Sequence, residues 1–327
     1  MTQFGLNYDP GHFADQSTQI QEIAKTGAAW LRIVLKPDRD LTQVMDITHR
    51  CGVKSLCVFA LESIGPDLTI PDQVAHYRDM YGDLLDAFQL GNEPDQDRSA
   101  AASSWVMDQN ELNRYLEAVR PLLPNTPLIG PGLSSGNPDW LHGVRVDLLD
   151  AVAFHPYGKW PTAEEVKAKS GGPWGFGPLE PLAEGYAAFG KPLWVDEYGA
   201  PEFELRDPTG YMGSMTRALA QVAEVVIAFT YHGVNGFDFV DASGRKLPYY
   251  AAFTQAVSES PQSAVVIKES TVPTYKLDAD TSKAIADHGW TAASDYFKMG
   301  GGGYVLCDQG IAYYLNGPAA FRFVPFE

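Results

Sequence analysis

Two glutamates follow apolar runs, at places where a carboxylate is expected to be partly buried. Glu93 follows the run Ala87–Leu90 in the stretch GNEP, and Glu197 follows a second run in the stretch WVDEYG. A charged side chain that has lost part of its water needs a partner, or it has a chemical task. Two such carboxylates can act as an acid and a base, or as an acid and a nucleophile.

Further polar residues stand within or at the end of apolar runs. Arg32 lies inside WLRIVL, Asn92 precedes Glu93, and His155 and Tyr157 belong to FHPYG. An arginine and a tyrosine hydroxyl favour the ionised form of a neighbouring carboxylate, whereas partial burial and a second negative charge favour the protonated form. This combination predicts one ionised and one protonated carboxyl group.

Aromatic residues extend the candidate site, since flat apolar rings suit sugar rings. Tyr231 ends the run VVIAFTY, and Trp140, Trp160 and Trp174 lie in loops. We predict that these four residues contact a substrate, although core packing also explains each of them. Asp196 is expected to point away from Glu197, towards a surrounding helix layer.

The elements that must position these residues follow a regular rhythm. Eight apolar runs predict strands over Phe4–Tyr8, Trp30–Leu35, Lys54–Leu61, Asp86–Gly91, Pro127–Pro131, Ala151–His155, Pro192–Glu197 and Val225–Tyr231. Segments with helical spacing lie between them, over Ser17–Thr26, Leu41–Cys51, Asn110–Leu122, Leu179–Phe189 and Gly210–Val222. Apolar strands that alternate with helices predict an α/β fold, a (β/α)8 TIM barrel over residues 1–257, with its site at the strand C-terminal ends.

The alternation of predicted strands and helices stops after residue 257. The polar stretch SESPQS leads into residues 264–327, which contain the strand-like runs Tyr304–Cys307, Ile311–Leu315 and Phe321–Phe326, a short run Ala264–Ile267 and a possible helix at Thr281–His288. We expect a small β-rich module or an extension docked on the barrel.

Composition excludes several classes of function. The net charge of −17 argues against nucleic acid and anionic membranes as partners. Three cysteines without a CxxC spacing argue against a disulfide scaffold and a zinc motif, and no GxGxxG follows the first strand, so we expect neither a metal nor a cofactor. No signal peptide is visible, so cytoplasmic location and secretion after signal removal both stay open. The sequence does not decide the oligomeric state.

Two carboxylates on facing strands of a barrel, without a metal cluster, suit glycoside hydrolysis. GNEP at the end of the fourth strand and WVDEYG at the end of the seventh resemble the catalytic strands of clan A glycoside hydrolases. That clan comprises retaining (β/α)8 enzymes of the cellulase, mannanase and xylosidase types. The resemblance spans about residues 3–257.

The resemblance implies a role for each matching residue. It makes Glu93 the general acid/base and Glu197 the nucleophile, with Arg32 holding the nucleophile. Asn92 is similar to the asparagine that binds the 2-hydroxyl of the substrate, and His155 and Tyr157 to the His-x-Tyr after the sixth strand.

The sequence departs from the clan at the eighth strand, where a tryptophan usually forms the floor of the −1 subsite. Phe229 and Tyr231 stand there instead.

The sequence therefore favours a hydrolase of β-linked poly- or oligosaccharides, and short loops after the first three strands favour endo action. A non-catalytic carbohydrate-binding barrel is the alternative. A metal-dependent hydrolase using His155, Asp196 and Glu197 is a third hypothesis, although no His-x-His stands on the first strand.

Overall fold

A computed structural model describes most of the chain. The described residues are 2–13, 15–65, 68–96, 105–158, 179–205 and 207–260, with four strands between residues 297 and 325. The chain divides into two compact units, Met1–Ile267 and Lys268–Glu327. The predicted domain limits, 1–257 and 264–327, stay predictions.

The first unit is a closed barrel of eight parallel strands in sequence order. The strands are β1 (Gln3–Asn7), β2 (Trp30–Val34), β3 (Lys54–Phe59), β4 (Ala87–Leu90), β5 (Leu128–Leu133), β6 (Ala151–Phe154), β7 (Leu193–Val195) and β8 (Val225–Ala228). The helices are α1 (Gln16–Lys25), α2 (Thr42–Arg50), α3 (Ile70–Tyr81), α4 (Gln109–Val119), α5 (Glu180–Ala187), α6 (Pro208–Leu219) and α7 (Pro248–Glu259). This arrangement confirms the predicted TIM barrel. None of the helices in the described ranges is long and apolar enough to cross a bilayer.

Alternating side chains of each strand face the barrel interior and the helix layer. The interior side chains form an apolar cluster that includes Trp30, Leu56, Ile129, Trp194 and Ile227. The outward side chains join the larger core between the strands and the helices. The same alternation directs polar side chains into the interior. They lie two positions after the inward-facing apolar residues of β1, β2, β4 and β6.

Three strands end two or more residues earlier than the sequence predicts. The third ends at Phe59 rather than Leu61, the seventh at Val195 rather than Glu197, and the eighth at Ala228 rather than Tyr231. After β5 the described residues contain a 3-10 helix, Pro138–Gly143, instead of a full α-helix. Apolar patterns overestimate the seventh and eighth strands because the residues beyond their ends are buried by loops rather than by strand pairing.

The second unit contains a four-stranded antiparallel sheet in the order β12-β11-β10-β9. Its strands are β9 (Phe297–Met299), β10 (Gly302–Cys307), β11 (Gly310–Leu315) and β12 (Arg322–Pro325). The β-rich C-terminal region is thereby confirmed. The predicted elements at Ala264–Ile267 and Thr281–His288 lie outside the described residues.

An ion pair near the start of β3 and β4 links α2 to the barrel. Nε2 of His49 lies 2.6 Å from Oδ2 of Asp86, and the same carboxylate oxygen accepts a hydrogen bond from the backbone nitrogen of Ser55. The hydrogen bond to Asp86 raises the pKa of His49, although partial burial opposes the change. A histidine with a raised pKa in the folded state stabilises the fold while it is protonated.

We expect His49→Gln to destabilise the protein in a pH-dependent manner. The loss in unfolding free energy should reach ~0.5–1 kcal/mol below about pH 6.5, where histidine is protonated in both states, and should shrink as the pH rises through the raised pKa of the folded state. Urea denaturation at several pH values measures the difference. The same substitution in an Asp86→Asn background is the control and should show no such pH dependence. A loss that is constant with pH would contradict the ion pair.

Candidate active site

A cavity of about 1110 Å³ opens at the C-terminal ends of the strands. Five of the predicted site residues line it: Arg32, Asn92, Glu93, Tyr157 and Glu197. His155 lies directly beneath and is fully buried. Loops of the parallel strands all begin at this end, so residues far apart in sequence meet here.

Glu197 is held on both of its carboxylate oxygens. Nη1 of Arg32 donates to Oε1 at 2.5 Å, and the hydroxyl of Tyr157 donates to Oε2. Burial and the negative charge of Glu197 raise the pKa of Tyr157 well above its usual value, so the hydroxyl keeps its proton. The Glu197 carboxyl group is therefore held in one orientation by its two partners and is only 7% exposed.

Arg32 joins the strands beneath the cavity. Besides Glu197, its guanidinium contacts Oδ1 of Asn7 at 2.7 Å, Oε1 of Gln89 at 3.1 Å and Oδ1 of Asn92 at 2.9 Å. Burial opposes its charge, but the carboxylates of Glu197 and Asp196 outweigh burial and raise the pKa of Arg32. The cation is thus permanent.

Glu93 stands on a turn rather than on the strand. Its φ of 49° lies in the left-handed region, which is uncommon for a residue with a Cβ. Its backbone nitrogen donates to the carbonyl of Gly132 at 3.0 Å, and its backbone carbonyl accepts from the nitrogen of Gln96. Asp95 fixes the same turn by accepting hydrogen bonds from the backbone nitrogens of Ser134 and Ser135, both at 2.9 Å. The unusual conformation is therefore determined by its surroundings.

The carboxyl of Glu93 contacts two side chains. A hydrogen bond of 2.8 Å joins Oε1 to Nδ1 of His155, and Nε2 of Gln96 donates to Oε2. Burial lowers the pKa of His155, but the charges of Glu197 and Asp196, with the contacts to Asp196 and Glu93, raise it well above its usual value. Three carboxyl groups thus favour the protonated form of His155.

Asp196 does not face the helix layer, so that sequence-based prediction was wrong. Its Oδ2 lies 3.2 Å from Nε of Arg32 and 3.4 Å from Nε2 of His155, and it accepts a hydrogen bond from Gln89 at 2.6 Å. Trp194 faces the barrel interior, and alternation therefore turns Asp196 inward too. Glu197 lies beyond the end of β7 and is free of that alternation.

One group of described residues has the donor atoms of a metal site. Oxygens of Glu93 and Glu197 and a ring nitrogen of His155 all lie within 4.8 Å of one another. However, Arg32 and Tyr157 already contact both oxygens of Glu197, and the protonated form of His155 is favoured. These positive charges would repel a metal cation at this point. The three donor atoms are therefore better suited to holding a proton than to binding a metal ion.

Two of the four predicted aromatic contact residues, Tyr231 and Trp140, do not line the cavity. Tyr231 is buried, and its hydroxyl donates to Oε1 of Gln19 on α1. Trp140 packs against the outer core, with its backbone carbonyl accepting from Gln109. Tyr231 turns outward because its strand ends three residues earlier. Trp160 and Trp174 lie outside the described residues.

Other residues of the site were not selected from the sequence. Asn7 lines the cavity and Gln89 is buried beneath it, and their signal was a polar residue at an inward position of an otherwise apolar strand. His12 and His232 line the cavity with ring centroids 5.4 Å apart. Phe229 also lines it, at an edge-to-face distance of 5.8 Å from Tyr157.

Solved structures similar to this chain are glycoside hydrolases. An endo-β-1,3-glucanase of family GH128 from Amycolatopsis mediterranei, in complex with laminaripentaose, matches with a TM-score of 0.55 and 14% identity, over 78% of this chain and 100% of that chain. A family 39 glycoside hydrolase from Bacteroides cellulosilyticus matches with a TM-score of 0.56 and 16% identity, over 96% and 70%. A GH5_18 protein from Bifidobacterium longum matches with a TM-score of 0.59 and 16% identity, over 79% of each chain.

At these identities the likeness shows the fold. It confirms that the chain has the TIM barrel of clan A-type glycoside hydrolases. No family model matches the sequence, and no protein of curated function matches it either.

The space beside His155 provides a test of the site geometry. A Cβ added to Gly132 would lie 2.0 Å from Nε2 of His155. We expect Gly132→Ala to displace the imidazole and to reduce the unfolding free energy by ~1–3 kcal/mol, as overpacking does. Urea denaturation measures the change. Gly130→Ala on the same strand is the control, since the nearest atom to its Cβ would be the end of the Leu149 side chain at 3.0 Å, and the backbone oxygen of Ala151 would be at an ordinary contact distance of 3.5 Å. Equal losses in the two variants would contradict the geometry.

Proposed function

We propose that this protein is a retaining glycoside hydrolase that cleaves β-glycosidic bonds of a poly- or oligosaccharide. Glu197 is the nucleophile and Glu93 the general acid/base. The observation that carries the proposal is that both glutamates line one cavity with ligand oxygens within 4.8 Å of each other, and that each has different partners.

The separation of the two carboxyl groups supports the retaining mechanism. Ligand oxygens of Glu93 and Glu197 lie within 4.8 Å of each other. Retaining enzymes hold their carboxyl groups about 5–5.5 Å apart, whereas inverting enzymes need about 6.5–9.5 Å to admit a water molecule. This separation therefore favours the retaining arrangement over the inverting one.

Each glutamate has the surroundings that its step needs. In the first step an oxygen of Glu197 bonds to the anomeric carbon, the glycosidic bond breaks, and Glu93 gives its proton to the leaving oxygen. In the second step Glu93 takes a proton from water, the water oxygen bonds to the anomeric carbon, and the carboxylate of Glu197 leaves. Arg32 and Tyr157 orient the nucleophile, and His155 and Gln96 hold the carboxyl group of Glu93.

Asn92 is placed to bind the sugar that reacts. Its carbonyl oxygen accepts from Arg32, so the amide NH2 group lies on the other edge of the side chain and can donate to a sugar hydroxyl. Phe229, at the end of β8, supplies the apolar floor for the same ring in place of the tryptophan usual in the clan.

The charges on the cavity wall favour a neutral glycan. Asp9 and Glu62 flank Lys36, whose Nζ lies 3.4 Å from each carboxylate, and Asp95 lies on the opposite side. A uronic acid would meet more carboxylates than cations here. Paired acidic and basic groups suit vicinal hydroxyls, to which they can both donate and accept.

Loops from several strands around the barrel line the cavity, and we take this as support for endo action. Loops after β1 to β3 contribute Asp9, Lys36 and Glu62, and loops after β4 and β5 contribute Asp95, Gln96, Ser134 and Ser135. A chain that enters on one side and leaves on the other can be cut internally. A β-1,3-glucan is the first candidate, because the glucanase matches over its whole length.

Replacing either glutamate tests the assignment. Glu93→Ala should lower turnover by roughly 10²–10⁴-fold, the usual contribution of acid/base catalysis, and Glu197→Ala should abolish it. Azide should restore activity on an activated aryl glycoside in both variants, giving the β-glycosyl azide with Glu93→Ala and the α-glycosyl azide with Glu197→Ala. Glu259→Ala, an exposed glutamate on α7, is the matched control. Unchanged turnover in either site variant would sink the assignment.

The stereochemistry of the product tests the mechanism separately. Proton NMR at early times should show the β-anomer of the new reducing end, because two displacements retain configuration. An α-anomer formed first would establish inversion and contradict the proposed separation.

A substrate panel tests the specificity. With β-1,3-glucan, β-1,4-glucan, mannan and xylan, we expect the favoured polymer to yield a mixture of oligosaccharides, detected by chromatography. Release of monosaccharide alone would contradict endo action. Binding of oligosaccharides without hydrolysis, with both glutamates intact, would instead favour a carbohydrate-binding barrel.

A further inference from the structure

Beneath the proposed catalytic pair lies a carboxylate that the double displacement does not use. Asp196 is fully buried, and its Oδ2 is shared between Arg32, His155 and Gln89. Its other oxygen, Oδ1, has no hydrogen-bond partner among the described residues. A buried carboxylate is costly, so a purely structural role is a poor explanation when an amide of the same shape could also accept from Gln89.

The ionisable groups around His155 come from several elements. They are Glu93 after β4, Asp196 and Glu197 after β7, Tyr157 after β6 and, through Asp196, Arg32 on β2. Tyr157 keeps its proton, so the described site contains two basic groups and three carboxyl groups.

The charges of these groups balance in each state of the reaction. Before the reaction, Arg32 and protonated His155 balance Asp196 and Glu197, while Glu93 holds its proton. In the glycosyl-enzyme, Glu197 is a neutral ester and Glu93 has become the second carboxylate, so two cations again face two anions. The balance in both states depends on Asp196, because it is the one carboxyl group of the three whose charge does not change.

We propose that Asp196 is a positioning residue that keeps His155 as an imidazolium cation, so that the buried site stays neutral before and after Glu93 gives up its proton. The kinetic part of this proposal rests on the proposed glycosidase function, whereas the charge state of His155 does not. His155 then donates through Nδ1 to Glu93 and stabilises the carboxylate that forms in the first step.

Removing the charge of Asp196 should remove the proton from His155. In Asp196→Asn, two buried cations would face Glu197 alone while Glu93 is protonated. An unbalanced buried charge is expensive, so the imidazolium becomes less stable. Loss of an opposite charge at this distance shifts a titration midpoint by ~1–3 pH units.

The direct test is an NMR titration of the whole protein labelled with ¹⁵N-histidine. The ring nitrogen shifts distinguish the imidazolium from both neutral tautomers, and contacts to the ring of Tyr157 identify His155. In the wild type we expect His155 to remain an imidazolium at about pH 8, well above the midpoint of about 6.5 for an unperturbed histidine. In Asp196→Asn its midpoint should fall by ~1–3 pH units.

A pair of reciprocal substitutions distinguishes the effect of Asp196 on His155 from a general disturbance of the structure. His49 contacts Asp86 and is remote from the cavity. Asp196→Asn should move the titration of His155 and leave that of His49 unchanged, whereas Asp86→Asn should do the reverse. An unchanged midpoint of His155 in Asp196→Asn would overturn the proposal. So would a wild-type His155 that is neutral at about pH 7, a measurement that stands even if the variant does not fold.

Kinetics supply a second readout. Once His155 is neutral, Glu93 loses the positive charge 2.8 Å from its carboxyl and holds its proton more tightly. The alkaline limb of the pH profile of kcat/KM should therefore move to higher pH in Asp196→Asn. A uniform fall in kcat/KM with an unshifted profile would show a merely structural role and overturn the proposal. If the wild type hydrolyses no glycoside, the proposed function fails, but the titration still decides the role of Asp196.

Discussion

The guanidinium of Arg32 is the interaction on which the rest of the site depends. It is 2% exposed and contacts groups from β1, β4 and the segment after β7. A buried cation is tolerated only when its donors are satisfied and its charge is matched. Here both conditions are met by residues far apart in the sequence, so the barrel must close before the arginine becomes stable. Fold and candidate site are therefore one cooperative unit, and neither can be assembled without the other.

The barrel interior is layered, and the layers explain why charge can be buried here. An apolar layer with Trp30, Ile129 and Trp194 fills the lower part. Polar side chains follow two positions further along the strands, and the cavity opens above them. Water is excluded from below, while the substrate side remains accessible. A group in the middle layer therefore influences the reacting carboxyl groups more strongly than a surface charge could, because little solvent lies between them.

The sequence predicted the order of the strands and most of the site, because both depend on local patterns. Apolar runs followed by Asn92, Glu93, His155 or Glu197 locate strand ends without knowledge of the tertiary structure. The incorrect predictions concern the direction in which a side chain faces and the residue at which a strand ends. Asp196 was predicted to face the helix layer because the predicted seventh strand was two residues too long. Tyr231 was predicted to contact the substrate because the predicted eighth strand was three residues too long. Gln89 and Asn7 were not selected although each is a polar residue in an otherwise apolar strand, because their role depends on contacts with Arg32, which lies far away in the sequence.

The contact between Trp30 and Trp194 has a consequence of its own. Their ring centroids lie 5.0 Å apart across the barrel, on the two strands that lead to Arg32 and Glu197. Two indoles at that distance share their excited states, so the ultraviolet absorption and emission of this pair depend on how the strands are aligned. The Trp30–Trp194 pair is thus an intrinsic spectroscopic probe that lies directly beneath the charged side chains of the barrel. Spectroscopy without any attached dye can follow whether β2 and β7 move when a sugar occupies the cavity.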